Sequence, residues 1–159
     1  MARSFSTATL TVKLQENIVL GGQNMGSLNS FSVSGIKNVV KRLMTATTAG
    51  ASILTFHNSE EAAGQYIEAN VRYIRITNLD DTNHVGLIFK NENNDEFGVK
   101  LDKGQSFIYN GDLAGGVVDT MDAQDGGADL AANTFGDLVN VTAYADTAAC
   151  DVEVFVACD

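Results

Sequence analysis

Apolar and polar residues alternate with a period of two along much of this chain, the pattern of strands that bury one face. Leu10, Val12 and Leu14 alternate with Thr9, Thr11 and Lys13, and Phe31 and Val33 with Ser30, Ser32 and Ser34. Phe97, Val99 and Leu101 are spaced by Gly98 and Lys100, and Val139, Val141 and Ala143 by Asn140 and Thr142. Val152, Val154 and Val156 share a fifth such face. Turn chemistry separates the runs: Gly21-Gly22-Gln23-Asn24 after Ile18-Val19-Leu20, 78–83 between 73–77 and 85–89, 91–95 ahead of 96–101, and Asp102-Lys103-Gly104 ahead of 106–109. Over 71–109 this train of strands, with loops of about 3–6 residues, predicts a β-meander.

Two stretches are ambiguous. Residues 36–44 fit an amphipathic helix through Ile36, Val39, Val40 and Leu43, or a strand running into the β-branched Thr45, Thr47 and Thr48. Strand is favoured, because no N-cap with an acidic first turn precedes the segment. Residues 114–134, dominated by Gly, Ala and Asp, are expected to bury little surface, as a long loop or ordered arm. No repeat of fixed period and no composition break marks a second unit. The expected fold is all-β: an antiparallel β-sandwich or jelly-roll-like single domain over 1–159, with a flexible N-terminal arm at 1–6 and the long Gly/Ala/Asp-rich loop.

Charge narrows the function. Ten basic residues against twenty acidic ones leave a net charge of −10, the opposite of what phosphate neutralisation requires, so direct nucleic-acid binding is not expected. The one basic cluster, Lys37, Lys41 and Arg42, reads as an exposed strand face. No apolar run approaches the roughly 18 residues that cross a bilayer, and the opening residues lack a secretory h-region. The default compartment is therefore cytoplasmic, with no membrane partner. Cys150 and Cys158, on one extended strand, would stand roughly 26 Å apart, beyond disulfide reach, and are read as reduced thiols. Proline is absent, leaving loop geometry to Gly, Asn and Asp.

Candidate chemistry is sparse. His57 and His84, the only histidines, sit beside turn-forming residues and read as loop surface. The sequence carries no phosphate-cradling glycine loop, no HExxH and no Gly-x-Ser-x-Gly. Asp119, Asp122, Asp125 and Asp129 offer carboxylates for calcium, but three or four residues apart rather than at alternate positions, so a solvated acidic loop is the better reading. Asp80, Asp81, Glu92, Asp95 and Glu96 form a second acidic group that holds a cation only if its two loops meet. Tyr66, Tyr73, Phe89, Phe107 and Tyr109 are read as core or cross-strand aromatics rather than a sugar-stacking surface. No catalytic, cofactor-binding or metal residue is assigned, and no cofactor is expected.

At Val71-Arg72-Tyr73-Ile74-Arg75-Ile76-Thr77-Asn78-Leu79-Asp80 the chain resembles a recurring segment of small tailed-bacteriophage virion proteins, as it does at 83–90 and at Leu101-Asp102-Lys103-Gly104-Gln105-Ser106-Phe107. Its opening is similar too, at 9–14, Ile18-Val19-Leu20-Gly21-Gly22 and 31–36, and the likeness spans about two-thirds of the chain, weakening across 114–134. The resemblance implies a structural component of a phage particle, foremost a capsid decoration (cement) protein that stabilises the head. Proteins of that kind are often β-sandwiches or jelly rolls that form trimers at lattice points. The implied partners are copies of itself, as a homotrimer, and the major capsid protein or other virion proteins. The implied location is the virion, after assembly in the bacterial cytoplasm. A neck, tail or fibre-associated subunit is the alternative within that class, and a glycan- or receptor-binding module the alternative from another. An enzyme is not expected.

Overall fold

The computed structural model describes residues 6–59, 64–110, 115–122 and 135–159, which form β-strands, one 3₁₀ turn at Glu68–Asn70 and no α-helix. The chain opens with a long antiparallel hairpin. β1 (Ala8–Gln15) pairs with β4 (Leu28–Ile36), from Leu10 opposite Val33 to Gln15 opposite Leu28. The short β2 (Val19–Leu20) and β3 (Gln23–Asn24) continue the ribbon to its tip. Gly21 and Gly22 close that tip with φ of +59° and +81°, the two left-handed residues that a type I′ turn needs.

Nine further strands follow among the described residues: β5 (Asn38–Ala46), β6 (Ala51–His57), β7 (Gln65–Ile67), β8 (Val71–Asn78), β9 (Val85–Asn91), β10 (Glu96–Leu101), β11 (Ser106–Asn110), β12 (Leu138–Ala145) and β13 (Cys150–Cys158). They build a four-stranded antiparallel sheet in the order β11-β8-β13-β5, and a five-stranded sheet in the order β10-β9-β12-β6-β7. Within the latter, only β7 pairs in parallel, with β6. Residues 38–46 are thus a strand, as their β-branched run favours.

The meander expected over 71–109 is not formed. β8 and β9 lie in different sheets; β9 pairs with β10, while β11 returns to pair with β8. A loop of a given length serves a hairpin or a crossing between sheets equally well, and alternation within a strand does not name its neighbour.

Among the described residues, buried side chains fall into two clusters. The larger draws on both big sheets: Ile53, Leu54 and Phe56 of β6, Ile74 and Ile76 of β8, Val85 and Leu87 of β9, Val141 of β12, and Val152, Val154 and Val156 of β13. Burial of each such side chain contributes about 1.5–3 kcal/mol. The smaller cluster seats the root of the hairpin on the other face of the four-stranded sheet. There Val33, Ile36, Leu10, Val12 and Phe31 pack with Tyr73, Ile108, Phe155 and Ala157. Consequently β8 is buried on both faces along most of its length.

Part of 114–134 contradicts the expectation of little burial. Val117 and Met121 are buried in the larger cluster, and Met121 bridges Gly136. Residues 123–134 lie outside the described residues, as do 1–5 of the expected N-terminal arm.

Candidate functional site

Two surface features stand out. The first is an open groove of about 740 Å³ on the five-stranded sheet. Its lining includes Thr55 and His57 of β6, Asn140 and Thr142 of β12, Lys90 of β9 and Glu96 of β10, with Glu68, Glu92 and Asp137 at one side. His57 is therefore the last residue of a strand that faces a groove, not the loop residue its neighbours in sequence imply. The acidic side is held together by backbone. The Glu92 N–H donates to the Asp137 carbonyl at 2.9 Å, and the Val117 N–H to the Glu68 carbonyl at 2.9 Å. Partial burial pushes the Glu68 carboxyl above its ordinary value; Asp137 and Glu92 push it further, and His57 opposes them. This is crowding of like charge beside the ends of β7, β9 and β12. Among the described residues no three His, Cys, Asp or Glu side chains are arranged to hold a metal ion.

The acidic residues singled out from sequence do not converge. Asp80 and Asp81 precede β9, whereas Glu92 and Asp95 follow it, so the length of that strand, roughly 20 Å, separates them. Their carboxylates organise loops instead. Asp80 accepts the N–H groups of Thr82 at 2.8 Å and Asn83 at 2.6 Å, and those two bonds hold its carboxyl below the usual range. Asp95 accepts the buried Asn91 amide at 3.1 Å. Asp119 takes a left-handed φ of +49° and donates its N–H to Asp137 at 2.8 Å. Asp125 and Asp129 lie outside the described residues.

His84 stands 3.4 Å from Asp146 on the partly exposed loop side of β9. The basic cluster divides. Lys41 meets Glu153 at 2.9 Å and Lys37 approaches Asp159 at 3.7 Å, while Arg42 turns inward and donates to the Ile53 carbonyl at 3.3 Å. Alternation along β5 puts neighbouring cations on opposite faces, so an exposed basic face is not formed by all three. The aromatics are packed as expected: Phe89 stacks on its cross-strand partner Phe97 with centroids 4.7 Å apart, Tyr66 lies against Phe56, and Tyr73 meets Phe155 edge-on.

The second feature is the distal hairpin. Every residue over 13–30 is exposed except Gly26, which is half-buried. Ile18 is 54% exposed, Val19 71%, Leu20 69%, Met25 62% and Leu28 64%. Backbone pairing carries on through this region, with the Glu16 N–H on the Ser27 carbonyl at 2.8 Å and the Met25 N–H on the Ile18 carbonyl at 2.9 Å. The outcome is an ordered ribbon with an apolar surface standing off the sheets. Alternation identified these strands but not their exposure. The available signal was charge: no residue over 17–36 is charged, in a chain with thirty charged residues.

Comparison with family models, curated proteins and solved structures finds no match to this chain.

Proposed function

We propose that this protein is a virion structural component, a decoration protein that stabilises a tailed-phage head, acting by binding rather than catalysis. The observation that carries the reading is the exposed apolar hairpin rooted on a double-sheet body. Large exposed apolar patches on soluble proteins mark binding surfaces, and five large apolar side chains over 18–28 are more than half exposed here. A body whose strands are locked into two sheets is suited to present such an arm.

The reading includes a jelly-roll body, a fold recurrent among viral coat domains. Supporting it is the nesting of antiparallel pairs: β5 with β13, β6 with β12, β8 with β11, and β9 with β10. That is one long folded ribbon, rolled so that β13 lies against β8 and β12 against β9. Two sheets that share one buried cluster support the sandwich part of the reading. The protein assembles in the bacterial cytoplasm as a cyclic homo-oligomer, a trimer, and docks on the major capsid protein. Its net charge of −10 suits a surface turned away from packaged genome.

Quantitative mass spectrometry of purified particles tests this. Copies on the order of hundreds per particle are expected from a lattice-point trimer, and about three to twelve would place the chain in the neck or tail. Absence from the particle would reject the structural role.

A further inference from the structure

The distal hairpin asks what covers it. We infer that its apolar tip docks on a second copy of this chain, against the outer face of β5, where Val39 is 50% exposed and Leu43 70%. The inference deepens the proposed structural role by naming the surfaces through which copies join.

Three observations select this partner. First, charge: copies that each carry −10 repel one another, so contact costs least where neither surface adds negative charge. The tip carries none, and beside Val39 and Leu43 the Glu153 carboxylate is paired with both Lys41 and Arg75, so it adds no net negative charge there. Second, geometry excludes the chain's own patch. The tip lies fourteen residues along the ribbon from the end of β4, roughly 45 Å when extended, and it is exposed rather than folded back on β5. Third, the patch is ready to receive a ribbon. β5 ends its sheet, and Val39 and Leu43 stand opposite Ala157 and Glu153 on the face away from the larger buried cluster. The arm's root already covers Phe155 and Ala157 on that same face. A second ribbon laid along β5 extends an apolar surface that the first has begun.

Tip and patch are different surfaces, so the contact is head-to-tail, and a closing rotation makes a ring. Each copy gives one arm and receives one.

The test compares the full chain with two charge-neutral variants, Val19→Ser/Leu20→Ser at the tip and Leu43→Ser at the patch, by light scattering across a concentration series. All three positions are exposed, and circular dichroism checks that each variant keeps its fold. The wild type is expected to self-associate, and each variant to raise the dissociation constant at least tenfold. An equimolar mixture of the two variants is expected to form a pair, because one intact tip then meets one intact patch. A wild type that stays monomeric at its highest soluble concentration overturns the inference, as does an oligomer that neither variant weakens. A monomer whose tip variant loses capsid binding also overturns it, while leaving the decoration role standing. Absence of the chain from particles rejects that role without touching self-association measured on the purified protein.

Discussion

Cys150 and Cys158 occupy the two ends of β13, both free and both buried, so the separation anticipated from an extended strand is realised. Burial pushes the Cys158 thiol up to about 11, against an opposing pull from Arg72. Burial also raises Cys150, with the nearby Asp80 carboxylate adding to it. In the unfolded chain a thiol ionises near 9.0. Between these values the unfolded state releases its proton first, so stability is full below pH 9 and falls as pH rises toward 11. For Cys158 the loss is at most about 3 kcal/mol. We predict that Cys158→Ala flattens the alkaline limb of a urea-unfolding series, and that both native thiols resist a thiol reagent at pH 8 until denaturant is added. A second prediction concerns Asn91, which is 1% exposed. Its Oδ1 accepts the N–H groups of Asn93 at 3.0 Å and Asp95 at 2.8 Å, and its Nδ2 donates to the Met121 carbonyl at 3.3 Å. Asn91→Ala leaves the buried Met121 carbonyl and the two loop N–H groups without this partner and should cost about 1–3 kcal/mol in chemical denaturation. Faster amide exchange at Asn93 and Asp95 would show that the loop after β9 has loosened.

At the scale of elements, the distal hairpin should be removable. Replacing 17–26 by Asn-Gly joins Glu16 to Ser27, already paired across the ribbon, through a two-residue turn. The deleted side chains are exposed, so stability should change by less than about 1 kcal/mol. Ile36→Ala, at the buried root of the same hairpin, should cost about 2–5 kcal/mol in the same thermal or urea measurement. How much of this architecture was legible follows from the same local physics. β1, β4, β10, β12 and β13 announce themselves because apolar and polar residues alternate along each, one face being at least half-buried over part of its length. β6 does not, because Ile53 and Leu54 are adjacent and both 1% exposed. The register shift between β12 and β6 falls beside them, and a bulge there turns two consecutive side chains inward, erasing the period of two. Strand partners were illegible for another reason: the pairing of β5 with β13 joins residues about a hundred positions apart, which no local pattern records. Of the candidate surfaces, the groove was invisible because His57, Glu68, Lys90 and Asp137 come from distant segments. The tip was visible as a turn, and its exposure only as an absence of charge.

For the whole molecule, the last strands are also the central ones. β12 lies between β6 and β9, and β13 between β5 and β8, so 138–159 supply the middle of both large sheets. Neither sheet is continuous without them, and the nested pairs must close over nearly the length of the chain. Loop-closure entropy is therefore spent before most native contacts form, which places refolding in the millisecond-to-second range of β-rich domains. The sequence has no proline, so the isomerisation that adds phases of tens of seconds to many proteins is absent. We predict one dominant refolding phase in stopped-flow fluorescence or circular dichroism at low protein concentration. Any slower phase should speed up as concentration rises, because association is the slow step that remains. Removing 150–159 takes out β13 with its buried valines and both its neighbours' ladders, and should abolish cooperative unfolding altogether. Excising the same number of residues from the distal hairpin should leave the dominant refolding rate unchanged. A truncated chain that still unfolded cooperatively would mean that β5 and β8 can pair directly, and that the strand between them is an addition to the body rather than its keystone.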